Sequence, residues 1–219
     1  WPSTKIEEKI YQFQKDSSQI SQMNEPQKSQ PLKINSPMTV GMMAGQWCPH
    51  GLDPDQPGDQ QLEEAGSLIF DTQALERELS ILGAPRIRLE ISSDKPNAML
   101  AACLSEVFPD GRATRVSYGL LNLTHMNSHE NPELLTEGKK YSIVLKLNEA
   151  GHCFGVGNRI RLALSTVYWP IAWPSPERST LTLGETGMSL MLPVRPDRSS
   201  DQVLKPFEEP EAAKPLAKT

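Results

Sequence analysis

A chain of 219 residues, 37% of them apolar, can bury one sizeable core, and all-β domains of this length are routinely single. Its formal net charge of −5, with acidic and basic residues interspersed, offers no cationic stripe to a phosphate backbone, which argues against a nucleic-acid partner. No apolar run approaches the length of a membrane span, and no basic-then-apolar signal segment opens the chain.

Residues 5–14 carry Ile6, Ile10, Tyr11 and Phe13 among charges and read either as a short amphipathic helix or as a strand entering a sheet. Residues 23–30 are polar and contain Pro26, a loop signature, and residues 32–38 are a further strand candidate. Residues 42–66 form a long connection rich in Pro, Gly and Asp, with Trp47 in its first part. A connection of that length inside a compact domain is usually either disordered or functional. Residues 67–71 read as a short strand, and residues 75–82 lead into the central stretch.

That stretch, residues 83–123, predicts strand, turn and strand. Ile87, Leu89 and Ile91 alternate with Arg86, Arg88 and Glu90, the period of a strand with one buried face. Residues 98–107 are nearly continuous in apolar side chains, Pro109-Asp110-Gly111 reverses the chain, and Thr114, Val116 and Tyr118 restart a β-rich run. A polar bend at residues 124–132 holds His125 and His129. Residues 140–147 alternate Tyr141, Ile143, Leu145 and Leu147 with polar neighbours, Val144 being the one apolar residue on the outer face; residues 159–166 alternate again. Residues 168–176 are too Pro-rich for a sheet interior and read as a loop carrying Tyr168, Trp169 and Trp173. Two strands, residues 179–183 and 188–194, close the domain with Gly184 and Gly187 at the turn between them. The pattern predicts an all-β, antiparallel β-sandwich over residues 1–198, with Ile87, Leu89, Ile91, Leu145, Ile160, Leu162 and Leu164 in its core. The Pro-, Glu-, Lys- and Ala-rich residues 199–219 read as a disordered tail.

Several separate blocks carry a resemblance. Gly83-Ala84-Pro85-Arg86-Ile87-Arg88-Leu89, Ser93-Asp94, Phe108-Pro109-Asp110-Gly111, Gly119-Leu120-Leu121, Pro132-Glu133-Leu134-Leu135-Thr136-Glu137-Gly138 and Gly157-Asn158-Arg159-Ile160-Arg161-Leu162-Ala163-Leu164-Ser165 resemble the C-terminal β-sandwich of the CocE/NonD hydrolases. That family includes the X-prolyl dipeptidyl peptidases and bacterial acyl-ester hydrolases. The order and spacing of the blocks across residues 32–196 make the match specific, where any single block would be weak. The resemblance implies a jelly roll of the galactose-binding-domain-like kind, fused behind an α/β-hydrolase domain that would precede residue 1 and be this chain's partner. It favours a strand at residues 9–14, turning through Asp16-Ser17-Ser18 into residues 19–22. It also favours an ordered course for Trp47-Cys48-Pro49-His50-Gly51 and for residues 55–60.

Nucleophilic hydrolysis needs a serine on a strained turn, a histidine in reach and a carboxylate behind it. The Gly-x-Ser-x-Gly elbow is missing; its nearest approach, Gly187-Met188-Ser189-Leu190-Met191, lies in an alternating strand where Ser189 is expected to face solvent. In the family the triad belongs to the α/β-hydrolase domain, so no catalytic residue is carried over, and this chain alone is expected to lack hydrolase activity. Cys48-x-His50 and His152-Cys153 raise a metal reading, but their spacing does not match paired Cys-x-x-Cys ligands, and His125 and His129 read as surface histidines. No metal site and no cofactor are expected.

Trp47, His50, Tyr168, Trp169 and Trp173 are the candidate interface or substrate-entrance residues. Aromatic faces can shape an acyl pocket, cover a domain interface or stack on sugars. One reading has these loops lining the contact with a catalytic domain; the alternative is an independent carbohydrate-binding jelly roll. Pro170, Ile171, Ala172, Pro174 and Pro176 supply no side-chain donor for a sugar hydroxyl, which favours the covered interface. Homo-oligomerisation is left open. The start at Trp1 reads as a piece or a processed product, and the odd number of cysteines, Cys48, Cys103 and Cys153, favours a reducing, cytoplasmic setting.

Overall fold

The computed structural model describes residues 5–14, 19–21, 31–45, 56–184, 188–203 and 205, and regular structure among them is almost wholly β. In chain order the strands are β1 (Glu7–Gln14), β2 (Gln19–Ser21), β3 (Leu32–Ile34), β4 (Leu68–Asp71), β5 (Leu79–Gly83), β6 (Arg86–Ser93), β7 (Met99–Val107), β8 (Ala113–Asn122), β9 (Tyr141–Lys146), β10 (Ala150–Phe154), β11 (Arg159–Ser165), β12 (Leu181–Leu183) and β13 (Ser189–Val194). Short 3-10 segments stand at Gln60–Gly66, Leu123–His125 and Ser199–Val203. Among the described residues no helix is long and apolar enough to cross a membrane.

One layer is organised on β6. Its first edge pairs with β9, Ile87 opposite Leu145 and Leu89 opposite Ile143. Its second edge is shared: β13 takes the N-terminal half, Ile87 opposite Leu190, and β12 the C-terminal half, Ile91 opposite Leu183. The two closing strands therefore follow one another along one neighbour instead of pairing as a hairpin; residues 185–187 between them lie outside the described residues. β13 carries β1 on its other side, and β1 carries β2 with Phe13 opposite Ile20, so residues 7–14 take the strand alternative. The expected turn at residues 15–18 lies outside the described residues.

The second layer runs β4, β11, β7, β8, antiparallel throughout. β7 and β8 form the expected hairpin: Phe108 N–H donates to Arg112 O at 2.9 Å, and Gly111, at φ +94°, supplies the left-handed turn residue. A single parallel bridge, Gln19 opposite Asp71, joins the layers through β2 and β4. Ile87, Leu89, Ile91 and Leu145 from the first layer and Leu104, Ile160, Leu162 and Leu164 from the second lie in one core cluster. All seven expected core residues are buried, each such side chain contributing about 1.5–3 kcal/mol. Val144 is exposed, as its outward position requires.

Two elements differ from expectation. Ser189 is 6% exposed, not solvent-facing, because β13 is covered on both faces over residues 189–192, all of them buried, as well as paired on both edges with β1 and β6. β10 has no strand signal in its sequence and forms through pairing with β5, from Ala150 opposite Gly83 to Phe154 opposite Leu79. At the end of β7, buried Glu106 ties the β10–β11 turn down, accepting from Gly155 N–H and Asn158 Nδ2, both at 2.7 Å. His152 Nε2 lies 2.8 Å from the same carboxylate. Burial pushes the Glu106 carboxyl up, but these donors outweigh it and hold it below the usual carboxylate range. Past Asp197 the chain continues into the Ser199–Val203 turn, where Arg195 makes a two-pronged contact to Asp201 at 2.6 and 2.8 Å. Residues 206–219, the bulk of the expected tail, lie outside the described residues.

Candidate functional site

β7 is buried along its whole length because both of its faces are covered. Leu100, Ala102 and Leu104 point into the main core, while Met99 and Ala101 point the other way into a second cluster with Val40, Ala44 and Tyr168. Two-sided burial replaces alternation by a continuous apolar run, which accounts for the sequence of residues 98–107. The cover on the outer face consists of three loop segments: residues 38–45, the 3-10 segment Gln60–Gly66 and residues 166–178.

The segments interlock through backbone. Trp169 N–H donates to Val40 O at 3.1 Å, and Gly41 sits at φ +106° against the Trp169 peptide, where a Cβ would come within 2.3 Å of Trp169 O. Only glycine allows that approach. The buried Glu63 carboxylate accepts from Gly41 N–H at 2.7 Å and Met43 N–H at 2.5 Å, binding the 3-10 segment to the 38–45 turn. Gln60 Nε2 donates to Met43 O and Gly58 O, each at 2.8 Å, and Ala113 N–H donates to Asp59 Oδ1 at 2.9 Å, so the long connection is anchored to β8 as well.

A β-bulge completes the support. Leu104 pairs with Ser117 but Ser105 pairs with Arg115, so Val116 is an extra residue and the alternation of β8 reverses there. Arg115 is thereby brought to the face that Tyr118 occupies. Its guanidinium lies over the Tyr118 ring, 4.5 Å from the centroid, and donates from Nη1 to Tyr168 Oη at 3.0 Å and to Ala44 O at 2.7 Å. Tyr168 stacks on Tyr118 with centroids 5.6 Å apart, and burial pushes its phenol well above its usual range. The space enclosed beneath this cover, bordered by Gln60, Glu63, Cys103, Ser105, Arg161 and Tyr168, is about 20 Å³. That is far below the roughly 300 Å³ at which ligand pockets begin, so the chemistry of the layer belongs to its outer surface.

On that surface each segment presents a large apolar side chain: Met42, Leu62 and Trp173, the last 81% exposed. Trp169 and Trp173 meet edge-on with centroids 5.3 Å apart across a loop containing the cis Trp169–Pro170 bond. Of the sequence candidates, Trp169 and Trp173 come together on the face, Tyr168 lies beneath it at 3% exposure as part of the support, and Trp47 and His50 lie outside the described residues. Met42, Leu62, Glu63 and Arg115 escape sequence reading: the first two are ordinary apolar residues in loops, and the roles of the others arise from long-range contacts.

The His152-Cys153 dipeptide does not converge on an ion. His152 faces Glu106, whereas Cys153, its neighbour in β10, is exposed with Sγ 3.8 Å from Glu78 Oε2. Among the described residues no three or more His, Cys, Asp or Glu side chains are grouped to hold a metal.

Residues 1–201 match the family described as the X-Pro dipeptidyl-peptidase C-terminal non-catalytic domain. The cocaine esterase of Rhodococcus sp. (strain MB1 Bresler) is 28% identical over 103 residues, covering 47% of this chain and 18% of the esterase. Among solved structures, an aminopeptidase from a marine-sediment Thaumarchaeota archaeon superposes with TM-score 0.74 at 16% identity, covering 86% of this chain and 37% of that one. An α-amino acid ester hydrolase gives 0.71 at 19% identity, covering 85% and 36%. A CocE/NonD family hydrolase from Staphylococcus aureus gives 0.65 at 12% identity, covering 90% and 38%. At these identities the structures share the fold, and this chain spans well under half the length of each relative.

Proposed function

The chain belongs to the X-Pro dipeptidyl-peptidase C-terminal non-catalytic domain family, and from that premise we propose that it serves a larger serine hydrolase as a docking and shaping domain. In this reading the face carrying Met42, Leu62, Trp169 and Trp173 packs on an α/β-hydrolase domain and borders its substrate entrance. The observation that carries the proposal is the construction of that face. Three loops are locked by Glu63, Gly41 and Arg115, yet each exposes a large apolar side chain, Met42, Leu62 or Trp173, beside its polar ones. A rigid apolar surface suits a permanent neighbour, and contacts between domains of one chain bury about 600–1,500 Å². The bond cleaved by the whole enzyme is, on this proposal, an ester or an Xaa-Pro amide, and the nucleophile resides in the other domain.

The test has two arms. The 219-residue chain is expected to show no turnover of a nitrophenyl ester or an Xaa-Pro anilide that a serine-directed inhibitor abolishes. In the hydrolase that carries this domain, Trp169→Ala with Trp173→Ala is expected to loosen docking and lower activity. Inhibitor-sensitive turnover by the chain alone would overturn the non-catalytic assignment. A tryptophan-fluorescence shift on titrating a soluble oligosaccharide into a monodisperse chain would replace docking by sugar binding.

A further inference from the structure

The 3-10 turn after β8 brings together two imidazoles that neither the core nor the aromatic face uses. His125 ends the Leu123–His125 turn, His129 follows four residues later, and their Nδ1 atoms lie 3.4 Å apart. The ring centroids are 5.5 Å apart with planes inclined at 40°. At that separation one ring can donate an Nδ1 proton to the lone pair of the other.

We propose that His125 and His129 form a two-histidine site for a borderline divalent transition ion of the zinc, nickel or copper type. Zinc takes imidazole nitrogen at about 2.0–2.1 Å in tetrahedral geometry, which sets two ligand nitrogens about 3.3–3.4 Å apart. Rings aiming their Nδ1 lone pairs at one such ion have centroids roughly 5.2 Å apart. The nitrogen separation already fits, and the centroids, 5.5 Å apart, need only a small tilt of the two solvent-side rings for both lone pairs to converge on one ion.

The backbone that carries the rings is fixed in place. Leu123 and Thr124 are buried, and Asn122 Oδ1 accepts from Thr124 N–H at 3.1 Å and Thr124 Oγ1 at 2.9 Å. Met126 N–H donates to Leu123 O at 3.3 Å, and Glu133 N–H to Thr124 O at 2.9 Å. On the His129 side, Ser128 Oγ accepts from Glu130 N–H at 3.2 Å and Asn131 N–H at 3.1 Å. Holding ligands in place beforehand lowers the ordering cost of binding. His129 is exposed, so the remaining coordination positions open to water or to a donor from another molecule. With only two protein ligands, the site is of the labile, exchanging kind, unlike closed four-ligand structural zinc.

The experiment is calorimetric titration of the untagged 219-residue protein with zinc chloride in a non-chelating buffer, beside His125→Ala, His129→Ala and His152→Ala. One saturable site is expected in the wild type and in His152→Ala, and its loss is expected in each of the other two. In long-range proton–nitrogen NMR spectra, zinc should shift the Nδ1 resonances of His125 and His129 together. Circular dichroism of the two variants checks that the fold is intact, as expected for a solvent-side pair. Absence of saturable binding by the wild type, or binding that survives in both His125→Ala and His129→Ala, would overturn the proposal.

Discussion

Arg115 reaches Tyr168 Oη at 3.0 Å from a strand position that only the bulge at Val116 directs toward it. In regular β8 pairing, residues 115 and 118 point to opposite faces; the extra residue puts both on the outer face, where one guanidinium covers one tyrosine and donates to the next. The aromatic surface thus depends on a charged group beneath it.

Arg115→Met is accordingly expected to destabilise the protein by about 1.5–3 kcal/mol, the scale of a hydrogen bond to a charged group. It takes the guanidinium donor from the Tyr168 hydroxyl and the Ala44 carbonyl. Arg115→Lys should recover only part, because an ammonium cannot both lie flat on Tyr118 and fork to two oxygens. Urea unfolding gives the free energies, and near-ultraviolet circular dichroism reports whether Tyr118 and Tyr168 keep their stack.

Gly41→Ala should be more costly than a loop substitution ordinarily is. The added methyl would lie 2.3 Å from Trp169 O and 2.6 Å from Trp169 N while forcing a residue with Cβ to hold φ +106°. Strain of that kind costs on the order of 1–3 kcal/mol before the clash is counted. A lowered urea midpoint with altered tryptophan emission is the expected result, and an unchanged midpoint would show that the 38–45 turn is not locked to Trp169.

Trp173→Ala should leave stability within about 0.5 kcal/mol of the wild type, as for a surface residue. In combination with Trp169→Ala it should reduce self-association of the 219-residue chain, measured by sedimentation velocity across a concentration series. Association that persists undiminished in the double variant would locate the adhesive surface elsewhere.

The Glu106 carboxyl gives a pH signature. Its folded-state pKa lies below the ordinary value of 4.5, so it contributes stability that is fully present above that value and is lost as pH falls through the folded-state pKa. Glu106→Gln should therefore be destabilised relative to wild type at neutral pH, with the gap narrowing as pH drops below 4.5. Urea midpoints of both proteins between neutral pH and acid measure it, and a gap constant across that range would remove Glu106 from the linkage.

Strands with one wet face were legible in the sequence. Ile87, Leu89 and Ile91 in β6 and Ile143 and Leu145 in β9 announce their pairing by alternation alone; Ile160, Leu162 and Leu164 in β11 alternate as well, although Arg161 on the opposite face is buried beneath the loops in an ion pair with Asp71. Pro109-Asp110-Gly111 likewise marked its hairpin. β10 was not legible, because Ala150-Gly151-His152-Cys153-Phe154 has neither alternation nor β-branched residues and owes its conformation to β5. At the candidate site, Trp169 and Trp173 were visible as loop aromatics. The burial of Tyr168, the Glu63 clamp and the turning of Arg115 depend on contacts at least 20 residues apart in the chain, 71 for Arg115 with Ala44, which local pattern does not encode.

The pairing of β1 with β13 decides how the domain answers mechanical load. Glu7 stands opposite Val194 and the register runs inward from there to Gln12 opposite Ser189, so the chain enters and leaves the sheet at the same end of one antiparallel ladder. A pull applied to those two ends falls on the Glu7–Val194 rung first, then on Glu8–Pro193, and opens the ladder one rung at a time instead of shearing all rungs together. Under tension the domain would peel at low force from this seam, shedding β1 from β13 before β6 or the covered face of β7 bears any strain.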